Sequence, residues 1–110
     1  MAPIAPHHIR FIRKFKGAGP NRRKVYLRQA TEDEIRSLVE CGLNICNGNV
    51  SLNPRQHRNL KKYKTSLKKF SLGKGSIKSK RHLLIQKGGF LPALAAITLP
   101  VLANLVGNLI

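Results

Sequence analysis

The residue types that could do chemistry are few, and they sit in small groups. Cys41 and Cys46 are the two thiols in 110 residues, and His57 is the imidazole near them in sequence. Five residues of helix place two side chains about 140° apart, so these thiols do not bond to each other within one helix. A zinc site would need two further ligands. The pair therefore reads as two reduced, small apolar side chains. The four acids, Glu32, Asp33, Glu34 and Glu40, all fall within residues 32–40. Thr31 followed three residues later by Glu34 forms a capping box, in which each side chain bonds the other's backbone amide. That explains the acids without a general acid–base pair. Gly73-Lys74-Gly75-Ser76 has the composition of a partial phosphate loop, but it lacks the full pattern and the preceding strand. It reads as a flexible basic turn. No catalytic residue, metal or cofactor is expected, and the chain reads as a non-enzyme.

What remains is charge. The sequence has 21 Lys+Arg against 4 Asp+Glu, a formal net charge of +17. Residues 55–87 carry twelve Lys/Arg and no acid. A solvated helix face normally mixes signs, because like charges repel and destabilise the fold. An anionic partner relieves that repulsion, so polyanion binding is expected. There is no zinc-finger, basic-zipper or RNA-recognition signature, and two tyrosines are too few for a base-stacking platform. The expected chemistry is sequence-independent phosphate neutralisation. The residues expected to carry it are Arg10, Arg13, Lys14, Arg22, Arg23, Lys24, Arg55, Arg58, Lys61, Lys62, Lys64, Lys68, Lys69, Lys78, Lys80 and Arg81.

The elements that must position these charges follow from local signals, and they predict an all-α fold in three regions. Residues 1–30 hold eight basic residues and no acid, broken by Pro3, Pro6, Gly17, Gly19 and Pro20. They read as a flexible basic arm with apolar residues able to dock on a partner. No central apolar run marks a secretory leader there, so a reducing compartment is expected. Residues 31–87 read as a basic helical domain. A helix over about 31–46 carries Ile35, Leu38, Val39 and Leu43 at helical spacing and ends at Asn47-Gly48-Asn49. Asn53-Pro54 starts a second helix, about 54–70, striped by Leu60, Tyr63, Leu67 and Phe70. The two stripes predict a helical hairpin. A third short helix, about 77–87, with Ile77, Leu83 and Leu84 facing the hairpin, ends at Gly88-Gly89.

Residues 88–110 carry no charge. A helix over 90–110 would be roughly 31 Å long, enough to cross a hydrocarbon core, with Pro100 kinking it. Soluble monomers do not expose such a patch, so the tail is expected to insert into membrane or to pack. The residues expected to face lipid are Phe90, Leu91, Leu94, Ile97, Leu99, Leu102, Leu105 and Val106. An anionic membrane suits the basic residues before them.

Lys87-Gly88-Gly89-Phe90-Leu91-Pro92, basic before and apolar after, resembles the precursor of the adenovirus core peptide mu, also called core protein X. A longer stretch is similar to the X-like proteins of adintoviruses and Maverick/Polinton elements. It comprises the Thr31-rooted acidic helix, Gly48-Asn49-Val50, Leu52-Asn53-Pro54-Arg55, Leu60-Lys61-Lys62-Tyr63-Lys64 and residues 80–91. The resemblance implies a minor virion core protein that condenses double-stranded viral DNA and carries a membrane-active tail. It implies residence in the virion, and in the host nucleus during assembly, with capsid or core proteins as further partners. It also implies cleavage by a viral cysteine protease of adenovirus type, at Gly88-Gly89 and at Gly17-Ala18. Gln86 and Phe15 stand where that protease prefers Met, Ile or Leu. The alternative is a cationic membrane-lytic or membrane-anchored protein with no genomic role.

Overall fold

In the computed structural model, which describes residues 6–109 and the side chains of residues 7–101, the chain forms seven α-helices and one short 3₁₀ turn. They are α1 (Pro6–Arg13), α2 (Pro20–Gln29), α3 (Glu32–Cys46), α4 (Pro54–Lys61), α5 (Lys64–Leu72), α6 (Ile77–Lys87) and α7 (Leu91–Leu109), with the 3₁₀ turn at Gly88–Phe90 before α7. The all-α class holds, with no strand among the described residues.

The cap signals act as the sequence predicts. The Glu34 amide donates to Thr31 Oγ1 (3.1 Å), and the Thr31 amide donates to Glu34 Oε1 (2.8 Å). Gly48 takes φ +74° just past α3, the left-handed conformation that suits glycine. Asn53 caps α4 in a second capping box, with Gln56 as the reciprocal partner. α6 begins on a Ser76 cap and ends at Gly88.

Three expectations change. First, residues 6–29 are not a flexible arm. His8, Phe11 and Ile12 on α1 and Phe15 in the turn after it recur at helical spacing and are buried, as are Leu27 on α2 and Ala30 after it. The prolines and glycines there mark helix boundaries: Pro20 opens α2 at its first position, and Gly17 takes φ +72° in the turn after α1. Second, the helix predicted over 54–70 breaks at Lys62-Tyr63 into α4 and α5. The halves have different partners, since α5 packs on α3 while α4 packs on α7, so the hairpin pairing falls to α5. Gly42 lets α3 and α5 approach closely: a Cβ there would collide with Ser71 Oγ and lie 3.1 Å from Ser71 Cβ. Third, the apolar tail is not a separate element. Phe90, Leu91, Leu94, Ala95 and Ile97 are buried in the same core as Phe11, Ile35, Leu38, Phe70 and Leu84. The helix runs through Pro100.

All three sequence regions thus share one core. The radius of gyration, 12.9 Å, agrees with the ~13 Å of a compact chain of this length.

Candidate nucleic-acid interface

The α4–α5 segment carries the densest basic surface. Leu60, Leu67 and Phe70 turn inward. The residues between them, together with Arg55 and Arg58 on α4, are forced outward: Lys61, Lys62, Lys64, Lys68 and Lys69 are all exposed. Arg58, Lys61, Lys64 and Lys68 meet around an open groove of about 570 Å³ floored by Leu52, Leu60 and Leu67. A second hollow, about 420 Å³, is lined by Lys69, Lys74 and Lys80. Arg10, Arg13, Lys14, Arg22, Lys24 and Lys78 are exposed on α1, its following turn, α2 and α6. Among the described residues the ion pairs to carboxylates come from histidines alone, with no Lys or Arg taking part. The exposed cations of α4 and α5 are therefore open to an anion from outside.

Three of the predicted phosphate binders do other work. Arg81, on α6, donates through Nη1 to the carbonyls of Leu27 (2.8 Å) and Ala30. These are carbonyls at the end of α2 that lack helical partners, and a cation also suits the negative end of the helix dipole. Lys80 donates to Phe70 O (2.6 Å) and Gly73 O (3.1 Å), closing α5 in the same way. Its burial holds the ammonium pKa below the usual lysine value. Arg23 donates to Ala18 O (3.0 Å) and ties α2 to the turn before it. These three hold helix ends together.

The remaining predicted sites fall differently. Phe90, Leu91, Leu94 and Ile97 face the protein core, and Leu99 is half-buried. The side chains of Leu102, Leu105 and Val106 lie outside the described residues. The stretch Ile77–Val101 is long and apolar enough to cross a membrane, but 44% of its most apolar part is buried in the fold. Gly88 is buried beside Leu84 and Leu91, and a Cβ at Gly89 would lie 3.1 Å from the Tyr63 ring. A protease that binds extended chain meets that junction as a wound, packed turn. Gly17 is exposed, whereas its neighbour Ala18 is buried.

Two features had no sequence expectation. The ring of His8, buried on the α1 stripe, lies with Nε2 2.7 Å from the carboxylate of Asp33. That hydrogen bond, with the charge of His8 and a weaker contribution from His7, holds the Asp33 pKa below its ordinary value. The signal was the position of His8 at helical spacing from Phe11, Ile12 and Phe15. The second is the contrast between the thiols. Burial pushes Cys41 up to about 12, whereas Cys46 is half-buried and lines the α4–α5 groove.

Comparison of the chain with known protein families, curated proteins and solved structures finds no match.

Proposed function

We propose that the protein binds and condenses double-stranded DNA without sequence preference, as a minor core protein of a virion. The observation that supports this most is the run of exposed, carboxylate-free cations on and between α4 and α5, four of which surround one groove. Neutralising phosphates there removes the self-repulsion of a +17 chain, so DNA binding and fold stability support each other. The viral setting rests on the resemblance to adintovirus X-like proteins and the adenovirus mu precursor. In this reading the partners are packaged DNA and neighbouring core or capsid proteins, and a viral cysteine protease acts on the chain. The protein resides in the virion, and in the host nucleus during assembly. The test is a salt titration of DNA affinity. With about eight phosphates neutralised, log K against log[salt] falls with a slope near about −7 on any sequence. A slope shallower than about −2, or strong preference for one sequence, rules the reading out.

A second reading, a cationic membrane-active protein, is favoured by the apolar stretch Ile77–Val101. It requires α7 to leave the core, exposing Phe90, Leu91 and Leu94. Dye release from anionic vesicles, together with flat DNA binding, would select it.

A further inference from the structure

We propose that His7, His8 and Asp33 form a binding site for a divalent transition ion of the zinc class, clipping α1 to the start of α3. Asp33 is 25 positions from His8, so the fold alone brings the three together. One nitrogen or oxygen from each lies within 4.8 Å of the others. Both imidazoles address the same oxygen: His8 Nε2 is 2.7 Å and His7 Nε2 is 3.7 Å from Asp33 Oδ2. Consecutive helix residues normally diverge by about 100°. Here the two rings tilt together with centroids 4.1 Å apart.

A structural hydrogen bond explains His8 but not His7, whose side chain is 70% exposed and gains little burial from turning toward the carboxylate. A shared cation explains both. Ligands about 2.0–2.2 Å from a zinc ion stand roughly 3.0–3.5 Å from one another. The present distances straddle that spacing. Asp33 is 66% exposed and can move by the few tenths of an ångström required, while buried His8 provides a fixed anchor. Two imidazoles and one carboxylate suit zinc and its neighbours, whereas magnesium and calcium prefer all-oxygen sites. Three protein ligands leave a position for water.

The site also lies among the chain's few acids. All four acids of the chain fall within residues 32–40, and Glu32 and Glu34 flank Asp33. The positive end of the α3 dipole opposes the ion, so its hold depends on those carboxylates.

The experiment uses the full chain, stripped with chelator and titrated with Zn²⁺ by calorimetry and thermal melting, with Mg²⁺ in parallel. One Zn²⁺ per chain should bind and raise the melting temperature, and Mg²⁺ should do neither. His7→Ala is the decisive variant, because it leaves the His8–Asp33 bond intact and the metal-free fold can be checked by circular dichroism. It should weaken Zn²⁺ binding at least about tenfold, since even outer-shell changes cost about 10–100-fold. Asp33→Asn should do the same, whereas Cys46→Ser and His57→Ala should leave binding unchanged. No Zn²⁺ uptake, uptake indifferent to His7→Ala, uptake lost in Cys46→Ser, or equal binding of Mg²⁺ would each overturn the site.

Discussion

Arg81 shows how one cation type serves two purposes in this chain. Its guanidinium reaches carbonyls 54 and 51 positions away, at the end of α2. Arg81→Ala should therefore cost about 2–3 kcal/mol of stability, the usual worth of charged hydrogen bonds to groups left otherwise unpaired. Arg81→Lys should recover only part of this, because the shorter lysine side chain does not carry its ammonium as far as the position Nη1 occupies. Lys62→Ala and Lys68→Ala should leave stability within about 0.5 kcal/mol of the parent, as surface changes do, while weakening DNA binding. Chemical denaturation beside a DNA titration separates the two kinds of residue. The thiols provide a second check. Cys41, pushed up to about 12 by burial, stays protonated and shielded at pH 8. Iodoacetamide should label Cys46 first, with Cys41 reacting only on unfolding. Because the folded pKa of Cys41 lies above its ordinary value of 9.0, its contribution to stability is complete below pH 9 and is lost as pH rises toward 12. A Cys41 that labels as fast as Cys46 would contradict the placement of α3 in the core.

At the scale of elements, the α3–α5 contact and the α7 insertion are the joints that matter. Gly42→Ala raises helix propensity by about 1 kcal/mol. It also drives a methyl group into Ser71, and rotating the hydroxyl away leaves Ser71 Cβ only 3.1 Å distant. The variant should be destabilised by about 1–3 kcal/mol, the range seen for overpacked cores. Adding Ser71→Ala should relieve part of that loss, and a double-mutant cycle measures the coupling. α7 contributes buried Leu94, so Leu94→Ala should cost about 2–5 kcal/mol. Removing residues 88–110 deletes Phe90, Leu91, Leu94 and Ile97 together, and the remainder should lose cooperative melting. A truncated chain that melts like the parent would return the tail to an external role. The burial of Gly88 also predicts that limited proteolysis cuts the exposed turn at Gly17 before the Gly88-Gly89 junction.

For the whole molecule, the defining property is +17 spread over a globule measuring 35 × 29 × 27 Å. A small domain with that charge sits close to its stability limit in low salt, because repulsion acts over the long Debye length there. Thermal melting should rise with added salt. It should rise further with DNA at low salt, since a ligand that binds only the folded state stabilises it. Replacing Arg58, Lys61, Lys64 and Lys68 with Gln should make the DNA salt slope shallower by about 3–4, roughly one for each phosphate left without its cation. An unchanged slope would mean that the groove rim does not touch the backbone.

Helices α3 and α6 and the start of α4 were legible because their signals are local. Thr31 with Glu34, Asn53 with Pro54, the apolar stripe of α3 and the glycines that end α6 each act within a few residues, where backbone geometry leaves little choice. The basic surface was legible for the same reason, since burying an unpaired ammonium or guanidinium costs too much. Long-range packing decided the rest. Whether His8, Phe11, Ile12 and Phe15 form a stripe on a free arm or a helix in the core depends on what lies opposite, and α3 and α7 supply it. The break at Tyr63 has no proline or glycine behind it; it arises because α4 and α5 serve different neighbours. The assignment of Lys80 and Arg81 to helix ends depends on carbonyls of other helices that only the fold brings within reach. The inward turn of residues 90–97 is of the same kind. Apolar composition required burial, but only the tertiary structure supplied the core beside them.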